Sequence, residues 1–158
     1  MELVSNNVLL QLVRSYKSGS KINFDEIQIQ NFKFENIRFR NSGLRNSIFE
    51  NVVFEEVYFD KSKFINCFFK RCRFESIDFG LSNVEISGGI FFETEFVKTE
   101  ALNCKILSTT FLNCNFNYFD ISGNEIADCK FLDCNMQGLL YSPDNFLQRN
   151  FLSTLNLK

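Results

Sequence analysis

The sequence predicts an all-β solenoid, and two observations lead to that prediction. A large apolar residue recurs at every fifth position from Phe24 onward, and the residue two places before it is almost always small or apolar and is never charged. A period of five fits neither the 3.6 of an amphipathic helix nor the 2 of a flat strand. The repeating unit is therefore a short extended segment followed by a corner.

We number each five-residue unit from its large apolar residue, which is position i. The first series at position i is Phe24, Ile29, Phe34, Phe39, Leu44, Phe49, Phe54, Phe59, Phe64, Phe69, Phe74, Phe79 and Val84. After a slip of two residues, the second series is Phe91, Phe96, Ala101, Ile106, Phe111, Phe116, Ile121, Ile126, Phe131, Met136 and Tyr141. Positions i and i−2 are predicted to point inward, because the other three positions carry almost every charged side chain.

Ahead of the repeat, residues 1–21 are predicted to hold a capping helix. Between residues 5 and 17, apolar side chains recur at helical spacing, with Ser5 or Asn6 available as N-cap and Gly19 just beyond the end. A helix here would cover the edge that a solenoid exposes at its first coil.

The slip in the repeat is assigned to the segment between Val84 and Phe91. Ser87, Gly88 and Gly89 lie there, and a Gly-Gly pair permits positive φ and close backbone approach. We interpret these three residues as a two-residue bulge or small corner loop of structural origin. A functional loop is the alternative.

The last segment, residues 142–158, is predicted to be a second helix that caps the rod or mediates dimerisation. Ser142 can serve as its N-cap, and Pro143 suits the first helical position. One apolar stripe follows, made of Leu147, Phe151 and Leu155. Continuing the five-residue rhythm instead would bury two charged side chains without partners, at a high cost.

The six cysteines are predicted to be small buried residues. All of them occupy position i−2, namely Cys67, Cys72, Cys104, Cys114, Cys129 and Cys134. Random placement in a five-residue unit would put a cysteine there only about one time in five. A disulfide framework or a metal site is the alternative, but zinc sites favour tighter spacings and usually include histidine, which this sequence lacks.

Two segments show the unit most clearly: residues 72–76 read Cys-Arg-Phe-Glu-Ser, and residues 114–118 read Cys-Asn-Phe-Asn-Tyr. They resemble the motif of the pentapeptide-repeat proteins, which is a small residue, a polar one, Leu or Phe, and two variable residues. The resemblance covers about residues 22–141. It implies a right-handed quadrilateral parallel β-helix with four units per coil, hence about six coils and a rod roughly 29 Å tall at ~4.8 Å per coil. Side chains 20 residues apart should then stack, giving two phenylalanine ladders.

Catalysis is not expected from this composition. Histidine is absent, and Gly88-Gly89 lacks the residues of a phosphate-binding loop. We therefore expect no enzyme activity, no cofactor and no metal. A net charge of −2 implies no direct binding of nucleic acid, and without a signal peptide or a long apolar run we expect a cytoplasmic protein that has no membrane segment.

The function expected is a non-catalytic module that binds a protein through its outer faces. Phe92, Leu112 and Leu132 share position i+1 on one face at intervals of 20 residues, so they predict an apolar stripe for an unidentified partner or for a second copy in a homodimer. The resemblance implies an alternative, a DNA mimic that binds DNA gyrase or topoisomerase IV in quinolone tolerance or toxin immunity. Such a mimic needs dense negative charge along the rod, and no predicted face is strongly acidic.

Overall fold

The computed structural model describes residues 1–15, 21–79, 83–101 and 103–141, which form a four-sided parallel β-solenoid of about six turns. Successive coils pair in parallel, so that Phe34 lies beside Phe54 and Phe54 beside Phe74. Backbone N–H groups donate to carbonyl groups one coil away, as Val53 N does to Phe32 O at 2.9 Å. The predicted fold class is confirmed.

Three of the four walls are parallel sheets of short strands. Sheet A consists, in spatial order, of β1 (Glu2–Leu3), β3 (Ile27–Gln30), β6 (Ile48–Glu50), β9 (Phe68–Lys70), β12 (Ile90–Phe92), β15 (Thr110–Leu112) and β18 (Lys130–Leu132). Sheet B consists of β2 (Asn23–Asp25), β5 (Gly43–Arg45), β8 (Lys63–Ile65), β11 (Glu85–Ser87), β14 (Lys105–Leu107) and β17 (Glu125–Ala127). Sheet C consists of β4 (Lys33–Glu35), β7 (Val53–Glu55), β10 (Arg73–Glu75), β13 (Glu95–Glu100), β16 (Asn115–Asp120) and β19 (Leu139–Leu140).

The fourth wall is held mostly by single bridges. Arg38 pairs with Tyr58, Tyr58 with Asp78, and Asp78 with Glu100, all in parallel. At its upper end, β13 and β16 continue into this wall and pair Glu100 with Asp120. The four walls close the coil, so that the strand edges within the shaft are paired.

The interior is filled by stacked aromatic rings. On sheet A the ladder Phe49, Phe69, Phe91, Phe111 and Phe131 has ring centroids 4.7–5.0 Å apart and planes within 12° of parallel. On sheet C the ladder Phe34, Phe54, Phe74, Phe96 and Phe116 has spacings of 4.8–5.3 Å. Neighbouring ladders meet edge to face, which is the favourable arrangement for rings at this distance. Both predicted ladders are confirmed.

The corners share one backbone conformation. At position i+2, residue after residue has a φ near +50°, with non-glycine values between 47° and 58°. This left-handed region is disfavoured for most side chains but is tolerated best by glycine and asparagine. Asparagine is accordingly the commonest corner residue, as at Asn31, Asn51, Asn66 and Asn113.

The two-residue slip lies earlier than predicted. Ile86, not Val84, stacks on Phe64, and Val84 takes the inward i−2 place. Asn83 already has the corner φ, so the slip lies between Phe79 and Asn83. Val84 and Ile86 are both β-branched and stand two places apart. Either residue can therefore be taken as the large apolar residue at position i of this unit.

The bulge or loop predicted at Ser87, Gly88 and Gly89 is therefore wrong. Ser87 ends β11, Gly88 is an ordinary corner with a φ of 64°, and Gly89 O accepts the usual bond from Thr110 N. A Cβ at Gly88 would meet the side-chain oxygen of Asn66 in the corner below. The glycine pair thus serves the regular coil and does not interrupt it.

A helix, α1 (Asn6–Ser15), precedes the first coil. Its N-cap is Ser5, whose hydroxyl accepts a bond from Val8 N at 3.4 Å, and Leu9 is fully buried in the core. The short strand β1 lies before α1 and pairs with β3 of sheet A. The sequence did not predict this strand. In the described part of the chain, no helix has the length and hydropathy to cross a bilayer.

The predicted C-terminal helix with Leu147, Phe151 and Leu155 falls on residues 142–158, which lie outside the described residues.

Candidate functional site: an apolar band on sheet A

The outer face of sheet A carries two rows of apolar side chains that meet in one strand. In the i+1 row, Phe92 pairs with Leu112 and Leu112 with Leu132. In the i−1 row, Ile48, Phe68 and Ile90 are paired in the same way. We call these six residues the apolar band: Ile48, Phe68, Ile90, Phe92, Leu112 and Leu132.

The band runs obliquely across five coils. It begins in the i−1 row at Ile48, occupies both rows in β12 with Ile90 and Phe92, and ends in the i+1 row at Leu132. Five of its side chains are half-buried against their neighbours, and Ile90 is 45% exposed. Contiguous exposed apolar side chains are a common feature of binding sites, which makes the band the candidate site on this surface.

The structure brings the predicted residues Phe92, Leu112 and Leu132 together in register, as one half of this band. Ile48, Phe68 and Ile90 were not predicted as part of it. Position i−1 also faces outward in every unit. Searching that position for apolar residues at intervals of one coil, as was done for position i+1, would have found them.

On sheets B and C, several charged side chains on the outer face form ion pairs. On sheet C, Arg73 bonds Glu75 at 2.9 Å and Glu95 at 2.5 Å. On sheet B, Lys63 bonds Glu85 at 2.7 Å and Lys105 bonds Glu125 at 2.8 Å. Such exposed pairs contribute little stability, but they reduce the negative potential of these walls.

Sheet A also carries ion pairs, which lie beside the apolar band in β6 and β9. Glu50 lies 3.0 Å from Lys70 Nζ and 2.5 Å from an Arg71 guanidinium nitrogen, and hydrogen bonds from Lys70 and then Arg71 lower the pKa of this carboxyl group. The acid next to the band is therefore ionised and accompanied by two cations.

The fourth wall holds an acidic ladder in which Asp78, Glu100 and Asp120 stand on three consecutive coils. Beside the upper two carboxylates is a shallow depression of about 410 Å³, lined by Lys98, Glu100, Tyr118, Asp120 and Leu140. The Asp120 carboxylate accepts bonds from the backbone N–H and the hydroxyl of Ser122.

The cysteines point inward, and five of the six are buried. Each sulfur lies 3.1–3.4 Å from a position i carbonyl oxygen one coil away, as Cys67 does with Leu44 O. Serine and threonine at the same position bond carbonyl groups in the same way, as Ser62 does with Phe39 O. Burial raises the pKa of the Cys67 thiol to about 11 and of Cys72 to about 12, so both stay protonated and unreactive near neutral pH.

Comparison with known protein families agrees with this geometry. Residues 38–75 match the family model of pentapeptide repeats, in 8 copies. The same five-residue unit, with inward i and i−2 side chains and a left-handed corner, continues through the described coils on both sides of that stretch. Residues 38–75 of this chain are therefore pentapeptide repeats.

Solved structures of several pentapeptide-repeat and resistance proteins are similar to this chain. A trypsin-treated variant of QnrB1, a plasmid-mediated fluoroquinolone resistance protein, is 14% identical, with 90% of each chain covered and a TM-score of 0.36. HetL, involved in heterocyst differentiation regulation in the cyanobacterium Nostoc, is 9% identical, with 87% of this chain and 92% of HetL covered and a TM-score of 0.27. Rfr23 from the cyanobacterium Cyanothece 51142 is 10% identical, with 88% and 95% covered and a TM-score of 0.30.

A search of curated proteins finds no match. At TM-scores of this size the structural likeness carries no argument about function, which we therefore base on the surface of the chain itself.

Proposed function

We propose that this chain is a non-catalytic protein-binding module, and that its apolar band docks an amphipathic α-helix of another protein. The observation that supports this is the concentration of six outward apolar side chains on sheet A, in two rows that are paired strand to strand. Removing such a band from water on binding is favourable in proportion to its apolar area.

The dimensions of the band favour a slender partner over a second copy of the rod. Its five coils span about 19 Å, and its two rows stand about 7 Å apart. That footprint is roughly 130 Å², far below the ~800 Å² per partner that a stable protein–protein interface of standard size buries. Two flat walls pressed together on the band alone would therefore associate weakly.

An α-helix matches the same dimensions. A helix is about 10 Å wide and advances 1.5 Å per residue, so about 13 residues would cover the length of the band. Side chains at i, i+4, i+7 and i+11 of the helix would lie along it, as in other modes of helix recognition. Phe68 and Phe92 offer the large aromatic contacts that typically dominate such interfaces.

The test is a charged substitution with a matched control in the same coil. Leu112→Glu places a carboxylate in the middle of the band, and we expect binding of the partner to fall about tenfold or more, because that charge would lose water without a counter-ion. Leu107→Glu makes the same change at position i+1 of sheet B and should leave binding intact. Capture from a lysate of the source cells, followed by cross-linking and quantitative mass spectrometry, measures both.

The expected result is a protein captured by the wild type and by Leu107→Glu, lost with Leu112→Glu, and cross-linked to sheet A through a helical segment. Equal capture by Leu112→Glu, or cross-links confined to another wall, would contradict the proposal. Light scattering of the purified chain checks the alternative partner, since a stable dimer abolished by Leu112→Glu would identify the occupant as a second copy.

The DNA mimic that the family resemblance implied has less support from this surface. The ladder Asp78, Glu100 and Asp120 favours it, but two coil steps extend it only about 10 Å along the rod. The carboxylates of sheets B and C named above are paired with Lys or Arg, whereas a phosphate mimic needs them to stand free.

A further inference from the structure

Cys114 and Cys134 differ from the other cysteines because they stand directly above one another. They lie on successive coils at the entry to sheet C, between the paired residues Leu112 and Leu132 and the bridged residues Asn115 and Asn135. Among the six cysteines, all of which lie in the described part of the chain, no other two occupy adjacent coils of one wall. Elsewhere the i−2 neighbour of a cysteine is another residue type, as Thr94 is for Cys72.

We propose that Cys114 and Cys134 form a reversible oxidation site, in which a disulfide joins two successive coils of the rod. Successive coils place the two Cα atoms about 4.8 Å apart, within the 4.4–6.8 Å that disulfides span. The Cα–Cβ bonds run side by side, so a bond requires the upper coil to move by about 1 Å, and a strained disulfide of this kind is easily reduced. The upper coil is less enclosed than the coils below it, since Phe131 and Met136 are only half-buried.

The two thiols have distinct roles. Cys134 is half-exposed and Cys114 is 2% exposed, so an oxidant reaches Cys134 first. The interaction between the two neighbouring thiols lowers the pKa of Cys134 and raises that of Cys114, where burial adds to the effect. Cys134 is the attacking thiolate, and Cys114 is the resolving thiol.

The chemistry is thiol–disulfide exchange with a low-molecular-weight disulfide such as glutathione disulfide. The Cys134 thiolate attacks one sulfur, forms a mixed disulfide and expels one glutathione thiolate. Cys114 then gives up its proton and attacks the Cys134 sulfur, which forms the protein disulfide and expels the second glutathione thiolate. Two protein thiols are oxidised, one glutathione disulfide is reduced to two thiols, and the two protons lost by the protein end on them.

The experiment incubates the reduced full-length chain with glutathione disulfide, quenches with acid and counts free thiols in denaturant. We expect the count to fall from six to four in the wild type, without any intermolecular product. Tryptic mapping should link residues 106–130, which contain Cys114 and Cys129, to residues 131–149, which contain Cys134. The same link in Cys129→Ser assigns it to Cys114.

Serine variants separate the two roles and should fold, because serine already fills position i−2 at Ser47 and Ser62 with the same bond to a carbonyl group one coil away. Cys114→Ser should retain one glutathione on Cys134, since the resolving thiol is missing. Cys134→Ser should keep its five thiols. A wild type that keeps six thiols, a Cys134→Ser that loses two, or a link through Cys129 would each overturn the proposal.

Discussion

At the scale of single residues, the corner position imposes the tightest backbone constraint. Lys61, Arg71 and Tyr118 hold a positive φ that their side chains tolerate poorly, with values of 54°, 52° and 58°. The period places these residues on the outside, but their backbone conformation could not be inferred from it. The frequency of asparagine at position i+2 was the available signal, since asparagine favours the left-handed region more than most residues do.

Lys61→Gly should therefore stabilise the protein by about 0.5–1 kcal/mol, because glycine adopts the corner conformation without strain. Lys61→Val should destabilise it by at least about 1 kcal/mol, since a β-branched residue fits this region worst. Urea unfolding measures both. Lys130→Gly, at an exposed strand position, is the control and should lower stability; a loss in Lys61→Gly as large as in this control would contradict the interpretation.

At the scale of elements, most strands of sheets A and C are positioned by the ring that each adds to a ladder. Phe91 is stacked on Phe69 at 4.7 Å and on Phe111 at 5.0 Å. The ladders follow directly from the five-residue period once four units make a coil. The place of the slip could not be predicted from the period, because Val84 and Ile86 fit position i equally well. Only the structure shows that Ile86 is the residue paired with Phe64.

Phe91→Leu should cost more stability than Phe24→Leu, by about 1–2 kcal/mol. Both residues are buried and lose similar area, but Phe91 also loses two parallel stacks worth roughly 0.5–1.5 kcal/mol each, whereas Phe24 is paired in its column with Leu44. Chemical denaturation of the two variants gives the comparison. Equal losses would show that burial alone, without ring stacking, determines the stability of the ladder.

At the scale of the whole molecule, the five-residue period determines the fold. The candidate site depends on which side chains lie on the outer faces, and these follow the period less regularly. Half of the apolar band was found because Phe92, Leu112 and Leu132 share one position of the unit. The other half lies in a row where Thr110 and Lys130 interrupt the apolar pattern. The strand β1 was missed because two residues carry no periodicity.

Buried thiols should make the molecule sensitive to alkali. The folded chain holds the Cys72 proton up to about pH 12, whereas the unfolded chain releases it near the ordinary value of 9.0. The unfolded state therefore binds fewer protons over that interval, and stability falls as pH rises through it, by about 1.4 kcal/mol per unit for each such thiol.

Cys72→Ser removes one of these groups. We expect the wild type to lose about 1 kcal/mol more than Cys72→Ser between pH 9 and pH 10, because the unfolded thiol is already half ionised at pH 9; urea unfolding at both values measures this. Since tyrosine and lysine titrate alike in both proteins, the difference isolates the thiol. Identical pH profiles would mean that Cys72 releases its proton in the folded state as readily as in the unfolded one.

The bonds that join one coil to the next all point along the axis of the rod, as the bond from Val53 N to Phe32 O does. A force that draws the two ends of the rod apart should therefore break these hydrogen bonds a few at a time, so that the coils unfold one after another from the end. A force applied across the rod meets closed walls and a stack of rings. We therefore expect the rod to resist force less well along its axis than across it.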